Sequence, residues 1–106
     1  MDDLVARFLP RFAALARERL QKATGIAAQR DRDGAGAVAH DLHSLAGEAG
    51  LLGLEGVIDL ARIAEDAARR FGSSGSDGDA ESFATCLAQL EAAVTEATAA
   101  SGAVKS

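Results

Sequence analysis

A chain of 106 residues with four Phe, one Pro and neither Trp nor Tyr is sized for one domain, whose single core must come from the alanine and leucine faces of helices. The formal net charge of −5 argues against binding a phosphate backbone, which requires clustered Lys and Arg, so nucleic acid is not an expected partner. No window approaches the roughly 18 consecutive apolar residues that span a bilayer, and Met1-Asp2-Asp3 begins no basic, apolar leader. The expectation is a cytoplasmic protein with no membrane partner.

The apolar residues Leu4, Val5, Phe8, Phe12, Leu15, Ala16 and Ala23 recur at helical steps and mark one amphipathic face that runs past Pro10. Proline in a helix interior removes a hydrogen bond, so the pattern predicts a short helix over 3–9 and a longer one to about Arg30. Asp31-Arg32-Asp33-Gly34 forms a polar joint with capping aspartates. A helix over 34–52 follows, with Gly53 placed to end it in a left-handed conformation. Leu54, Val57, Ile58, Ala61, Ala64, Ala68 and Phe71 form the stripe of the next helix, which is expected to stop at Gly72 before a mobile loop over 73–78. Asp77 or Asp79 then caps a last helix with the seam Phe83, Leu87, Leu90, Val94 and Ala97, and a tail from Ser101 is expected to fray. Cys86, the only cysteine, excludes an intrachain disulfide and reads as a core filler beside Leu87 and Leu90. The expected fold is all-α, an antiparallel up-and-down four-helix bundle with a short additional N-terminal helix, forming one domain over 1–106. A closed bundle of this kind implies a monomer.

The segment Ala39-His40-Asp41-Leu42-His43-Ser44-Leu45-Ala46-Gly47-Glu48-Ala49-Gly50 surrounds His43 with residues that have almost no side chain. At about 100° per residue, Ala39, His40, Ala46, Gly47 and Gly50 fall within about 60° of His43, while Val38, Leu42, Leu45, Ala49 and Leu52 gather opposite. Each glycine costs about 1 kcal/mol relative to alanine in a helix interior. Close approach of another macromolecule to a reactive imidazole explains that expense.

The run His43-Ser44-Leu45-Ala46-Gly47-Glu48-Ala49-Gly50-Leu51-Leu52-Gly53 resembles the signature of histidine-containing phosphotransfer (HPt) domains, His-x-Leu-Lys-Gly-x-Ala-x-x-Leu-Gly. Only the lysine position departs, being Ala46 here. A register begun at His40 puts Ser44 at the glycine and loses Leu52-Gly53. The four-helix plan, the Phe8-Leu9-Pro10 lead-in and the acidic Glu65 extend the resemblance over nearly the whole chain.

The resemblance implies that His43 is the phosphoacceptor and that receiver domains of response regulators and hybrid histidine kinases are the partners. It also implies a docking face comprising Ala46, Gly47 and Gly50. The family's lysine faces the phosphoryl oxygens, so its absence removes electrostatic help, for which His40, one turn before His43, offers a substitute as an assistant. A neutral imidazole is a good nucleophile near neutral pH, and phosphoryl transfer depends chiefly on positioning and charge neutralisation. The chain has no Gly-x-x-x-x-Gly-Lys loop for a nucleotide and no evident magnesium cluster. No cofactor or resident metal is therefore expected, and the reading is a phosphocarrier rather than an autonomous enzyme. His40 and His43 alone fall short of the three protein ligands of a catalytic zinc.

Two other readings stand beside it. A phosphoacceptor domain detached from a sensor or chemotaxis kinase would need an ATP-binding domain, and the dimerising hairpin of sensor kinases follows its histidine with an acidic residue, Arg and Pro, unlike Ser44-Leu45-Ala46. A phosphate-independent helical adaptor would keep the bundle without the chemistry. The run containing Arg62, Glu65, Asp66, Arg69 and Arg70 reads as a solvated mixed-charge face.

Overall fold

The computed structural model describes the backbone of residues 2–103 and the side chains of residues 5–99. Four helices make up the described residues: α1 (Asp2–Ala28), α2 (Ala35–Leu51), α3 (Glu55–Ser74) and α4 (Asp77–Ala103). They close a ring in which α1 adjoins α2, α2 adjoins α3, α3 adjoins α4 and α4 returns to α1.

The separate N-terminal helix expected before Pro10 is absent, because α1 is continuous through that residue. Leu9, Phe12, Ala13, Ala16, Leu20, Ala23 and Ala27 form an unbroken buried row across it. Pro10 and Ala6 are both exposed, so water can satisfy the Ala6 carbonyl that loses its helical partner. The buried row also differs from the expected face. Phe8 and Leu15 are exposed, and Leu4 lies outside the described side chains.

Both ends of α2 follow from local chemistry. The Asp31 carboxylate accepts the Gly34 N–H at 3.0 Å before the helix begins at Ala35. At the other end Gly53 has φ +73°, and the Leu54 and Gly53 N–H groups donate to the carbonyls of Ala49 and Gly50. That left-handed glycine cap ends α2 where the sequence places it, and α3 begins at Glu55.

The expected loop over 73–78 shrinks to Gly75 and Ser76, since α3 runs on to Ser74 and α4 begins at Asp77. Arg32 supplies the reason: its guanidinium donates to the carbonyls of Gly72 and Ser73, satisfying the last turn of α3. Gly75, at φ +64°, makes the turn, and the Ser76 hydroxyl caps α4 by accepting the Asp79 N–H at 3.1 Å. Asp77 and Asp79 instead occupy the first turn, where negative charge complements the helix dipole. Helix α4 continues to Ala103, beyond Ser101, and residues 104–106 of the expected tail lie outside the described residues.

The core is built largely of alanine, with Phe71 and Phe83 stacked at its centre at a centroid distance of 6.2 Å. Small side chains such as Ala16, Ala49, Ala61, Ala64 and Ala68 let the helices lie close together. Leu42, Leu45, Leu87 and Leu90 fill the remaining volume, and Cys86 packs partly buried against the cluster. No helix among the described residues is long and apolar enough to cross a membrane.

Candidate functional site

Helix α2 buries Ala35, Val38, Ala39, Leu42, Leu45, Ala46 and Ala49. Its opposite side exposes Gly36, His40, His43, Gly47 and Gly50, spaced at three- and four-residue steps along one row. Packing of the leucines against the bundle therefore presents the imidazoles outward. An added side chain at Gly47 would meet nothing within 4 Å, and one at Gly50 would touch only Ile58 at 3.8 Å. Helix packing leaves room for a Cβ at both positions.

Ala46 is placed differently from expectation. It is only 6 % exposed and belongs to the core cluster, so its side chain is not part of the open row. Ala39, at 2 % exposure, is likewise buried. Both lie toward the edge of the apolar stripe, and the neighbouring helices cover that edge. The bare surface thus consists of the two histidines and the glycines, without either alanine.

His43 is 72 % exposed, yet its Nδ1 lies 3.3 Å from Oε1 of Glu65, whose side chain is only 9 % exposed. The other carboxylate oxygen, Oε2, pairs with Arg69 Nη1 at 2.5 Å. An ionised carboxylate only accepts hydrogen bonds, so the contact favours the tautomer with a proton on Nδ1 and a lone pair on Nε2. The nitrogen with the free lone pair is then the one turned away from Glu65. His40, also exposed, makes no hydrogen bond among those of the described residues.

The solvated reading of the α3 charge run holds for Asp66, Arg69 and Arg70, which are exposed, but fails for Glu65. Spacing carried the missed signal: Glu65 stands four residues after Ala61 and three before Ala68, on the apolar row itself. Arg62, exposed on the preceding turn, has no hydrogen bond to His43 among those of the described residues.

On the α1 side, Arg19 Nη1 reaches Glu48 Oε1 at 2.7 Å and ties α1 to α2. Beyond that pair lies an open groove lined by Val5, Phe8, Phe12, Leu15, Leu51 and Leu52. Among the described residues no group of three or more His, Cys, Asp or Glu side chains is placed to hold a metal ion.

An exposed imidazole with one nitrogen engaged and the other free can accept an electrophilic phosphorus carried by another molecule. Comparison with protein families agrees: the Hpt domain model matches residues 7–100, and the chain belongs to that family. It is a histidine phosphotransfer module of phosphorelays, and such domains are phosphocarriers that interact with receiver domains and kinases. No curated protein and no solved structure matches.

Proposed function

Proceeding from its membership of the Hpt domain family, we propose that the chain is a phosphorelay shuttle in which His43 accepts a phosphoryl group from one receiver domain and yields it to another. The receivers are those of hybrid histidine kinases and response regulators. The observation that carries this reading is His43 itself, largely exposed on a face of glycine while its Nδ1 rests on the buried carboxylate of Glu65.

In the forward step the Nε2 lone pair attacks the phosphorus of an aspartyl phosphate on the receiver. The P–N bond forms as the P–O bond to the aspartate breaks, and the aspartate leaves as a carboxylate. The Nδ1 proton remains on the ring, where Glu65 balances the positive charge that the ring gains. Return transfer is the reverse of the same step. Gly47 and Gly50 leave the space that the receiver's loops need around the imidazole, and the chain performs no transfer without such a partner. Because Ala46 is only 6 % exposed, we place the docking face on Gly47 and Gly50.

Short connections support an antiparallel up-and-down course, as do the contacts that join His43 to Glu65 and Arg32 to Gly72. We take residues 1–106 as one Hpt-like domain acting as a cytoplasmic monomer. The testing experiment incubates the chain with a phosphorylated receiver and measures acid-labile, base-stable label. His43→Ala is expected to abolish the label in a folded protein, whereas His40→Ala at most slows it. Full labelling of His43→Ala, or loss of label in His40→Ala alone, would overturn the assignment.

A further inference from the structure

We propose that Arg69 is a positioning residue for His43, acting through Glu65 to hold the imidazole in the tautomer whose free lone pair is on Nε2. The inference starts from how the two Glu65 oxygens are divided. Oε1 faces His43 Nδ1 at 3.3 Å, and Oε2 is taken by Arg69 Nη1 at 2.5 Å. Three side chains from two helices therefore form one line, with the buried carboxylate in the middle.

The Arg69 side chain is 60 % exposed, and by pairing with the 9 %-exposed carboxylate it offsets part of the cost of burying that charge, a role that any nearby cation could fill without orienting the group. Its partner is the unusual member, because among the described residues Glu65 is the charged side chain buried in the core. The last torsion of a glutamate is broad and roughly two-fold, so burial alone leaves the carboxylate free to turn. A bond to Oε2 removes that freedom and presents Oε1 to the ring. Arg69 stands four residues after Glu65 on α3, in the favourable order with the acidic residue nearer the helix N-terminus.

The chemical consequence lies at His43. A free neutral imidazole side chain prefers its proton on Nε2, which leaves the lone pair on Nδ1. Here a lone pair on Nδ1 would point at Glu65 and could not reach an incoming phosphorus. The Glu65 acceptor reverses the preference only while it is correctly aimed, and Arg69 does the aiming. Loss of Arg69 is thus expected to reduce the fraction of reactive tautomer without altering docking.

The effect on transfer rests on His43 being the phosphoacceptor; the effect on the tautomer does not. The test uses the full chain, uniformly labelled with ¹⁵N and unphosphorylated, at a pH above the imidazole titration range. Long-range proton–nitrogen NMR reads both ring nitrogens of His43, with a His40→Gln background separating the two histidines. The parent is expected to show Nδ1 protonated, Arg69→Met to shift toward Nε2 protonated, and Arg69→Lys to retain most of the parental balance. With a phosphorylated receiver at saturation, labelling of Arg69→Met is expected to slow about three- to tenfold. The receiver concentration giving half-maximal rate should stay unchanged.

A parent ring protonated on Nε2, or an unchanged tautomer balance in a folded Arg69→Met protein, would overturn the proposal. Failure of the acceptor assignment would look different. In that case His43→Ala would still be labelled while the tautomer response to Arg69→Met remained.

Discussion

Glu65 and His43 face each other across the α2–α3 interface as opposites, one side chain 9 % exposed and the other 72 %, with 3.3 Å between Oε1 and Nδ1. The relationship separates what Glu65 does for the fold from what it does for the imidazole. A buried carboxylate must be desolvated, so replacing it with an apolar side chain of similar size is often neutral or stabilising. Glu65→Leu is therefore expected to leave the unfolding free energy unchanged or raise it by about 1 kcal/mol. Labelling of His43 should nevertheless fall by about tenfold, because nothing then fixes the Nδ1 proton. Urea denaturation and initial transfer rates check the two halves, and a variant both less stable and equally fast would contradict this division.

Arg30 carries a different kind of expense. It has φ +55° and stands where α1 ends, with its N–H donating to the Ala27 carbonyl and the Asp31 N–H donating to Ile26. This is the helix-terminating position that glycine normally fills, and a side chain there is strained by its own Cβ. The compensating contacts are an exposed pair with Asp77 at 3.4 Å and a 3.3 Å bond to the Ala27 carbonyl. Exposed pairs contribute little, so Arg30→Gly is expected to stabilise the protein by up to about 1 kcal/mol. Thermal unfolding should show a higher midpoint, with transfer unchanged because the Arg30 side chain engages Asp77 and Ala27 and takes no part in the His43–Glu65 pair. A lower midpoint would mean that the two side-chain contacts outweigh the strain.

Ala46 leads to a third prediction. The family's lysine would have to rise from a position that is only 6 % exposed, and extra methylenes in a packed site cost about 1–3 kcal/mol. A lysine stem can recover part of this by running along apolar surface to place its ammonium in water. Ala46→Lys is accordingly expected to lower the unfolding free energy by about 1 kcal/mol. Any longer phosphohistidine lifetime would come with that loss. Unfolding by urea measures the first effect, and decay of the label at fixed pH measures the second. A variant as stable as the parent would show that the edge of the core at Ala46 yields more easily than its burial indicates.

The residues differ in how plainly the sequence announced them, and the differences have physical causes. Leu42, Leu45 and Ala49 repeat at helical spacing, and Gly53 ends α2 because its left-handed φ requires no tertiary help. Helix continuity was harder to read. Pro10 removes one local hydrogen bond, but the apolar row Leu9, Phe12, Ala13 and Ala16 holds α1 together across it. The end of α3 depends on Arg32, 40 residues from the Gly72 carbonyl that it satisfies, and no local pattern contains that bond. At the site, angular arithmetic put His43, Gly47 and Gly50 on one face. The same arithmetic leaves Ala39 and Ala46 on the open face, yet both are buried, because the edge of the stripe depends on how closely α1 and α3 approach. Glu65 differs from the charges beside it only by its place on the apolar row, which a solvated reading of the α3 charge run passes over, and its partners belong to the folded arrangement.

Gly47 supplies the last prediction, because its two roles should respond in opposite directions to one substitution. A Cβ added there meets nothing within 4 Å, so a side chain fits without rearrangement. Glutamine is also a better helix former than glycine by a large part of about 1 kcal/mol. Gly47→Gln is therefore expected to raise the unfolding free energy by several tenths of a kcal/mol or more. The same side chain stands one turn from His43 on the exposed row, where a docking receiver must bring its phosphoryl group to the imidazole. Transfer should slow, chiefly through a higher receiver concentration for half-maximal rate, because the obstruction acts on approach and leaves the tautomer alone. The measurement pairs denaturation curves with labelling rates over a range of receiver concentration. Unchanged transfer in the more stable protein would show that docking does not cross Gly47.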